Sequence, residues 1–374
     1  MAEKCAPLFT FDALCYKMGA EFRKERTAMI YFNSDYLEGA HPAIMERLMQ
    51  TNMEQTVGYG EDAYCAAARE KIKAACQAPD ADVHFLVGGT LTNTTVIASI
   101  LRPYQGVLTA ASGHINCHET GAIESSGHKV LTLPTDNGKI TAQQVQDYYN
   151  WHHFNPDYEH MVMPGMVYIS FPTEGGTLYS KAELTALYEV CQNCGLPLFI
   201  DGARLGYGLT CDDCDLTLPE LARLCDVFYI GGNKVGALFG EAVVVMNPLL
   251  KKDFRFMMKQ RGGMLAKGRL LGLQFDTLFT DDLYFKISRH ANETAKKVHA
   301  IFADNGYSFL FDSPTNQQYP IMSDAELAVL GQNFGYEYWE RVDETHSAIR
   351  FATSWATKEE NIAALRAAVE ALKK

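Results

Sequence analysis

Short apolar runs alternate with amphipathic stretches from about residue 83 to residue 246. This alternation is typical of a β-sheet that carries helices on both faces. One helix is predicted to begin at the capping box formed by Ser180 and Glu183 and to end at Gly195, directly before the apolar strand 196–200. Because strands that alternate closely with helices are mainly parallel, we predict a mainly parallel central sheet whose binding crevice opens at the carboxyl ends of the strands.

The pattern changes after about residue 248, where long helical stretches follow. They are interrupted by the strand-like segment Ala348–Ala352 and closed by a final helix, for which Thr357 and Glu360 form the expected capping box. A chain of 374 residues exceeds the size of a typical single core. We therefore expect an α/β protein with a large domain (residues 1–248) and a smaller C-terminal α+β domain (residues 249–374).

Charge and hydropathy narrow the class of protein. The formal net charge is -12, and Lys and Arg form no dense cluster, so nucleic acid is not an expected partner. The first residues include Glu3 and Lys4 instead of an apolar leader, and no later run approaches the length of about 18 apolar residues that a membrane span needs. We expect a cytoplasmic protein that does not contact a membrane.

Two cysteine pairs have the spacing of a four-cysteine zinc site, Cys191 with Cys194 and Cys211 with Cys214. The apolar strand 196–200 lies between the pairs and separates them by roughly 20 Å, at about 3.3 Å per residue. Zinc thiolates instead converge on one ion at about 2.3 Å each. We predict reduced thiols and no metal site, with a structural zinc as the alternative that metal analysis would detect.

A glycine turn marks a possible phosphate site. Gly88, Gly89 and Thr90 connect the predicted strand 83–87 to a helix whose first turns include Asn93. The free N–H groups and the positive dipole end of such a helix attract phosphate, although glycine turns also occur there for purely steric reasons.

An acid and a lysine follow on the next strands. Asp201 ends the strand 196–200, and its buried carboxylate needs a partner, which would be Arg204, a helix N-terminus or a cationic ligand atom such as a protonated pyridine nitrogen. Lys234 follows the strand 227–230. An amine in an apolar cleft loses its proton more easily and attacks aldehydes, whereas an exposed loop lysine would not.

The order of these features describes fold-type-I enzymes that use pyridoxal 5′-phosphate (PLP). In such enzymes the acid keeps the ring nitrogen of the cofactor protonated as an electron sink, and the lysine carries the cofactor. A dinucleotide-binding protein is the competing interpretation of a doubly wound sheet, but the chain lacks a strand-anchored G-x-G-x-x-G with a following acidic residue.

Several further segments match one family over nearly the whole chain. They are Asn33-Ser34-Asp35, Tyr59-Gly60-Glu61-Asp62, Gly89-Thr90-x-x-Asn93, His114-Ile115 with Glu119 and Gly121, Asp201-Gly202-Ala203-Arg204, Lys234, and Ile349-Arg350-Phe351. With them the sequence resembles the threonine aldolase and β-eliminating lyase family. It is most similar to the branch of phenylserine aldolases and low-specificity L-threonine aldolases, through Thr173-Glu174-x-Gly176, Glu241 and Thr280-Asp281-Asp282-Leu283.

The resemblance implies a role for each matched residue. In the cofactor site, Lys234 would bind PLP covalently, Asp201 would contact the pyridine nitrogen and His114 would stack on the ring. Gly89 and Thr90 would form part of the phosphate cradle, and Asn93 would be a further cofactor-binding residue. In the substrate site, Ser34, Arg204 and Arg350 would surround the carboxylate, with Arg204 also near the phenolic oxygen of the cofactor. A guanidinium suits this role because it can bind a carboxylate with two hydrogen bonds.

The chain departs from typical threonine aldolases at one position. Those enzymes carry Thr-His-Asn where this chain has Phe171-Pro172-Thr173-Glu174-Gly175-Gly176, so the histidine near the substrate hydroxyl is missing. The base that accepts the hydroxyl proton could be His114, Glu174, a bound water or the cofactor phosphate. A pH-rate profile of His114→Asn and Glu174→Gln variants distinguishes the two side chains.

The expected function is PLP-dependent cleavage of a β-hydroxy-α-amino acid of the threonine, allo-threonine or phenylserine type to glycine and an aldehyde. The alternatives are a PLP-dependent β-eliminating lyase or aminotransferase acting on another amino acid, and a catalytically silent binding protein. The resemblance also implies a homodimer or homotetramer whose sites lie at the subunit interface.

Overall fold

The computed structural model describes residues 29–373, so residues 1–28 of the predicted large domain and Lys374 lie outside the described part of the chain. The helices are α1 Pro42–Gln50, α2 Ala63–Cys76, α3 Gly89–Ile100, α4 His114–Cys117, α5 Ala122–Ser125, α6 Ala142–His153, α7 Lys181–Cys194, α8 Leu205–Leu209, α9 Leu218–Arg223, α10 Phe254–Gln260, α11 Arg269–Leu278, α12 Leu283–Asp304, α13 Asp324–Leu330 and α14 Glu359–Ala371. The strands are β1 Ile30–Tyr31, β2 Asp82–Leu86, β3 Gln105–Ala110, β4 Lys129–Leu133, β5 Met163–Ser170, β6 Leu198–Asp201, β7 Val227–Gly231, β8 Glu241–Val245, β9 Gln317–Gln318, β10 Ile321–Ser323, β11 Phe334–Gly335, β12 Glu337–Arg341 and β13 His346–Ala352.

Seven strands form the central sheet, in the order β2-β8-β7-β6-β5-β3-β4. The pairs β3–β4, β3–β5, β5–β6 and β6–β7 are parallel, and β8 runs antiparallel to both of its neighbours. The predicted mainly parallel sheet is therefore confirmed. Its inner strands read as nearly continuous apolar runs because they are buried on both faces.

The apolar side chains of these strands divide between two core clusters. On β5 and β6, Val167 and Ile200 belong to one cluster, whereas Met166 and Phe199 belong to the other. Successive side chains of a strand point to opposite faces, so the two clusters cover the two faces of the sheet. Helices α2, α7 and α9 pack on the first face, and α3 and α10 pack on the second.

Two predicted helix ends can be compared with the structure. Ser180 and Glu183 form the expected capping box of α7, and Gly195 ends that helix in the left-handed conformation. The predicted cap of the last helix is wrong, because Lys358 and not Thr357 precedes its first residue. The Thr357 hydroxyl instead accepts a hydrogen bond from the Ser354 N–H at 2.8 Å, so it closes the preceding turn.

The C-terminal part is built around β13, which pairs antiparallel with β9, β10 and β12. A third apolar cluster covers this sheet and includes Phe302, Ile349 and Leu365. Residues before α1 pack here as well, since β1 pairs with β11 and Phe32 belongs to the same cluster. The smaller C-terminal sheet is as predicted, and the division at residue 248 stays a prediction.

The carboxyl ends of β5, β6 and β7 open towards β12 and β13, and the predicted site residues collect there. Asp201 is the last residue of β6, and Lys234 follows β7 by three positions. Among the described helices, none combines the length and the apolar composition needed to cross a membrane.

Candidate active site

A cavity of about 340 Å³ lies between the carboxyl ends of the central strands and the C-terminal sheet. Its lining residues are Tyr36, His114, His118, Glu174, Arg204, Lys234, Glu337, Tyr338, Trp339 and Arg350. The volume is at the lower end of the range for small-molecule sites, roughly 300–1,000 Å³. Five residues predicted for the site therefore lie in one cavity: His114, Glu174, Arg204, Lys234 and Arg350.

Lys234 lies in the turn after β7 with its amine at the cavity. Its backbone carbonyl accepts a 2.5 Å hydrogen bond from the Tyr207 hydroxyl, which fixes the turn. Burial and the positive charge of Arg204 lower the pKa of Lys234, and the carboxylates of Asp35 and Asp201 oppose the shift without cancelling it. A larger fraction of the amine is therefore neutral near pH 7, and a neutral amine is the form that attacks a carbonyl carbon.

Asp201 is surrounded by hydrogen-bond donors. The Tyr229 hydroxyl at 2.5 Å and the Ala203 N–H at 2.9 Å donate to Oδ1, and the Tyr168 hydroxyl at 2.5 Å and the Asn93 amide at 3.1 Å donate to Oδ2. Burial raises the pKa of Asp201, but His114 and these donors outweigh burial and lower it overall. Asp201 is thus a buried ionised carboxylate. The partner considered from the sequence, Arg204, does not bind it.

Arg204 pairs instead with Asp35, through Nε at 2.6 Å and Nη2 at 2.9 Å. Burial opposes ionisation of Asp35, yet Arg204 and Lys234 hold its pKa at about 2. The Asn316 amide donates a further bond to Asp35. Two of the three guanidinium nitrogens of Arg204 are therefore engaged, and Nη1 is left towards the cavity. The motif Asn33-Ser34-Asp35 was noted in the sequence, but no role was predicted for Asp35.

Arg350 lies on β13 at the opposite wall of the cavity. Its Nη2 donates to the Asn33 carbonyl at 2.9 Å and its Nη1 to the Gln317 amide oxygen at 3.3 Å, while its Nε is buried and makes no hydrogen bond within the described residues. Ser34 is adjacent, but its buried hydroxyl has no hydrogen-bond partner there and does not line the cavity. Arg350 therefore lies at the cavity, and the carboxylate-binding roles of Arg350 and Ser34 stay predictions.

His114 is held from two sides. Its backbone N–H donates to Glu174 Oε1 at 2.9 Å, and its ring Nδ1 lies 2.8 Å from Glu119 Oε1. The Ser170 hydroxyl also donates to Glu174 Oε1, at 2.6 Å. Burial raises the pKa of Glu174. The Tyr319 hydroxyl donates to the Glu174 carbonyl, which connects this segment to the C-terminal part of the chain.

The glycine turn lies behind the cavity and does not line it. Gly88 precedes α3 without a side-chain cap, so the N–H groups of the first turn are available to an anion. A Cβ on Gly89 would lie 3.2 Å from the Tyr229 hydroxyl, which explains glycine at this position. Asn93 is fully buried and bridges Glu119 at 2.7 Å and Asp201 at 3.1 Å. The predicted cofactor contacts of Gly89, Thr90 and Asn93 stay predictions.

Sequence reasoning missed a group of cavity residues and the partners of Asp201. Tyr36, His118, Glu337, Tyr338 and Trp339 come from segments that only the fold brings together. Tyr168 and Tyr229 lie within apolar strands, where a buried hydroxyl needs a partner, and this requirement was the signal that could have identified them.

The donor set fits PLP better than a metal. The cysteines within residues 29–373 are free, and this part of the chain contains no cluster of three or more His, Cys, Asp or Glu side chains able to hold a metal ion. A nucleophilic amine, a buried ionised carboxylate and an uncapped helix N-terminus match the aldehyde, the ring nitrogen and the phosphate of PLP. The fold and the site together define a fold-type-I PLP enzyme.

Comparison with known proteins gives the family. The chain belongs to the beta-eliminating lyase family, whose model matches residues 32–327. The solved structure of a threonine aldolase from Leishmania major is similar, with 41% sequence identity and a TM-score of 0.90 over 92% of this chain and 100% of that chain. A low specificity L-threonine aldolase from Pseudomonas sp. (strain NCIMB 10558) is 29% identical over 347 residues, which is 91% of this chain and 97% of that protein.

A more distant structure supports the fold alone. A double mutant of Thermus thermophilus aspartate aminotransferase has 13% identity and a TM-score of 0.66, with 100% of this chain and 99% of that chain covered. Members of the beta-eliminating lyase family are PLP-dependent enzymes, and this chain is therefore a PLP-dependent lyase.

Proposed function

We propose that this protein cleaves β-hydroxy-α-amino acids of the threonine, allo-threonine or phenylserine type to glycine and an aldehyde. The observation that carries the proposal is the convergence of the Lys234 amine, the His114 ring and the Arg350 guanidinium on one cavity. The relatives named above are threonine aldolases, which is the same reaction class.

PLP, when bound, supplies the aldehyde that condenses with amines and the ring that accepts the electron pair released at Cα. Lys234 would hold it, Asp201 would face its ring nitrogen, and the N–H groups at the start of α3 would face its phosphate. Asp201 is suited to a cationic nitrogen because its carboxylate stays ionised although it is buried.

Arg350 orients the substrate. Its contacts with Asn33 and Gln317 fix the guanidinium at the cavity wall, where it can bind the substrate carboxylate with charge-assisted hydrogen bonds. Fixing the carboxylate fixes the rotation about the bond between the substrate nitrogen and Cα. This rotation decides which of the bonds to Cα breaks. Arg350→Ala should impair turnover more than cofactor loading, and unchanged turnover of every tested β-hydroxy amino acid would contradict the assignment.

His114 is the base that takes the β-hydroxyl proton. Its Nδ1 is occupied by Glu119, so its second nitrogen, Nε2, is the one left for the cavity. As the hydroxyl proton moves to Nε2, the Cα–Cβ bond breaks, the aldehyde forms, and Cα later gains a proton to give glycine. Glu174 supports this arrangement by accepting the backbone N–H of His114.

Aromatic side chains surround the space left for the substrate side chain. Tyr36, His118, Tyr338 and Trp339 line the cavity together with His114. Such a wall suits β-aryl groups, which gain from edge-to-face or offset contacts with other rings. It supports acceptance of phenylserine-type substrates besides threonine.

The test is a product assay with a panel of β-hydroxy amino acids. Glycine and the matching aldehyde are the expected products, whereas a keto acid with ammonia, or a transferred amino group, would indicate β-elimination or transamination instead. Visible absorbance of the purified protein should be present in the wild type and lost in Lys234→Ala. Absence of that absorbance in the wild type would overturn the PLP assignment.

We also propose that the chain forms a homodimer or homotetramer with its sites at the subunit interface. A shallow apolar groove of about 740 Å³ supports this, because Val57, Phe256 and Met264 line it beside the charged Glu61 and Lys259. Val57 and Phe256 are 67% and 76% exposed and both line this groove, and contiguous exposed apolar surface marks protein–protein contacts. A cytoplasmic location is proposed on the free thiols of the described cysteines.

A further inference from the structure

Glu119 is a buried carboxylate behind the cavity wall that the proposed chemistry does not yet use. Its side chain is 0% exposed, and it does not line the cavity. Its Oε1 lies 2.8 Å from His114 Nδ1 and accepts a 2.7 Å hydrogen bond from the Asn93 amide. Its Oε2 is buried and has no hydrogen-bond partner within residues 29–373. A buried carboxylate is costly unless it is paired, so its retention at this position requires an explanation.

The chain makes a tight turn directly after Glu119. Thr120 has φ 52° and Gly121 has φ 70°, two successive residues in the left-handed region. The Ala122 N–H donates to the Glu119 carbonyl at 3.0 Å and closes the turn. A β-branched residue such as Thr120 rarely adopts this conformation. Strain of this kind persists where the surrounding structure holds the backbone in place.

Glu119 decides which nitrogen of His114 carries the proton. A carboxylate accepts hydrogen bonds, so the contact at Nδ1 requires the proton on Nδ1 and leaves the lone pair on Nε2. Nε2 makes no hydrogen bond to the described residues, and His114 lines the cavity. The contact therefore leaves Nε2 as the basic nitrogen that is available to a substrate hydroxyl in the cavity.

Asn93 reduces the repulsion between two buried carboxylates, Glu119 and Asp201. Its single amide group donates to both Glu119 Oε1 and Asp201 Oδ2, so it stands between two carboxylates that would otherwise repel each other. The chain His114–Glu119–Asn93–Asp201 is thus continuous in hydrogen bonds. It connects the ring that lines the cavity to the acid at the end of β6.

We propose that Glu119 is a positioning residue that sets the tautomer and the orientation of His114 through Nδ1. This inference rests on the proposed function, in which His114 is the base. Glu119 does not line the cavity, and its side chain bonds to His114 and Asn93, so we assign its effect on the proton transfer to its contact with the imidazole. Removing it should act on kcat and leave KM almost unchanged.

A double-mutant cycle tests this dependence. Glu119→Ala should lower kcat about 100-fold in the wild-type background, the lower end of what a positioned general base contributes. In the His114→Asn background the same change should cost nothing further, because the group it positions is already absent. If the kcat losses of the two single variants multiplied in the double variant, the proposal would be overturned. Glu124→Ala is the matched control, since Glu124 is exposed on the neighbouring helix α5 and should leave kcat unchanged.

A spectroscopic measurement reads the tautomer directly and does not depend on activity. In ¹⁵N spectra of the histidine-labelled holoenzyme, His114 is the signal that disappears in His114→Asn. Its Nδ1 should be protonated in the wild type, and the proton should redistribute between both nitrogens in Glu119→Ala. An unchanged tautomer in Glu119→Ala would contradict the inference.

A conservative variant distinguishes the loss of the hydrogen bond at Nδ1 from misfolding. Glu119→Gln retains an oxygen that can accept from Nδ1, so it should keep the tautomer and more of the activity than Glu119→Ala. The cycle repeated with Glu119→Gln should again show no loss in the His114→Asn background. If the wild type released no glycine from any β-hydroxy amino acid, the proposed function would fail, while the spectra would still decide whether Glu119 sets the tautomer.

Discussion

At the residue scale, the site is a set of charges whose burial is compensated by specific partners. Asp201 has four donors, and Asp35 holds Arg204 with two hydrogen bonds. The partners are what keep these groups ionised, since burial alone would neutralise them. Lys234 differs in that its pKa is lowered, which suits an amine that must act as a nucleophile.

The first prediction concerns Asp35. Its lowered pKa contributes stability that is present above the ordinary carboxyl pKa of 3.8 and is lost as pH falls towards about 2. The shift corresponds to about 2 kcal/mol. Asp35→Asn should lower the free energy of unfolding by about 3–5 kcal/mol near pH 7, because Arg204 loses its buried counter-charge. Urea unfolding as a function of pH measures both the loss of stability in the variant and the dependence of wild-type stability on pH.

The pH dependence of the stability difference is the more specific test of the Asp35–Arg204 ion pair. The difference between wild type and Asp35→Asn should narrow below about pH 4, where the wild-type carboxyl begins to gain its proton on unfolding. Asp304→Asn is the control, because its pair with Arg366 is exposed and should hardly affect stability. A difference that stayed constant down to pH 3 would contradict the ion-pair explanation.

The second prediction separates the two candidate bases. A base must be deprotonated to act, so kcat/KM rises with pH through its pKa. His114→Asn should lower kcat/KM by about 10²–10⁴-fold and remove that rise. Glu174→Gln should retain the rise, since Glu174 supports the backbone of His114. If Glu174→Gln removed the rise and His114→Asn kept it, Glu174, whose pKa burial raises, would be the base.

At the scale of elements, a β-bulge aims a large side chain at the cavity. On β12, Tyr338 pairs with Ile349 and Glu340 pairs with Ala348, so Trp339 is the extra residue between them. Bulges often redirect side chains next to active sites. Tyr319 packs on the Trp339 ring at 4.9 Å between centroids, and the Arg350 guanidinium lies 5.8 Å from its centroid.

The third prediction follows from this position. Trp339→Leu should reduce kcat/KM for phenylserine about 3- to 10-fold more than for allo-threonine, because an aryl side chain loses a ring contact of about 0.5–1.5 kcal/mol. The ratio of the two kcat/KM values is the measurement. Trp151→Leu, on the exposed side of α6, should leave the ratio unchanged. Equal losses for both substrates would mean that Trp339 only supports Arg350.

At the scale of the whole molecule, three distant stretches of sequence meet behind Arg204, which lines the cavity. Asp35 precedes α1, Arg204 follows β6, and Asn316 precedes β9, yet the three side chains are hydrogen-bonded to each other through Asp35. The cavity therefore exists only when the C-terminal sheet is packed against the central sheet.

The fourth prediction tests the proposed oligomer. Phe256→Glu places a charge in the apolar groove and should reduce the mass measured by light scattering to that of one chain, since a buried interface does not tolerate an unpaired charge. Activity should fall in parallel if the sites lie at the interface. Phe154→Glu, which changes an equally exposed side chain after α6, should leave the mass unchanged. A wild-type protein that is monomeric at micromolar concentration would refute the proposal.

Much of the fold was predictable because its signals are local. Alternating apolar and amphipathic segments indicated the parallel sheet, and the capping box at Ser180 with Gly195 gave both ends of α7. The missed cap at Thr357 shows the limit of a local pattern. The hydroxyl has the right chemistry, but a contact with Ser354 within the preceding turn uses it.

The sequence by itself determined the alternation of strands and helices, the strand-end position of Asp201 and the lysine after β7, because these depend on residues close to one another in the chain. Only the tertiary structure decided which charges pair. Arg204 binds Asp35 rather than Asp201, and Asp201 is bound by tyrosines and Asn93, since burial requires each charge to find a partner in space and the chain order does not specify which one is near.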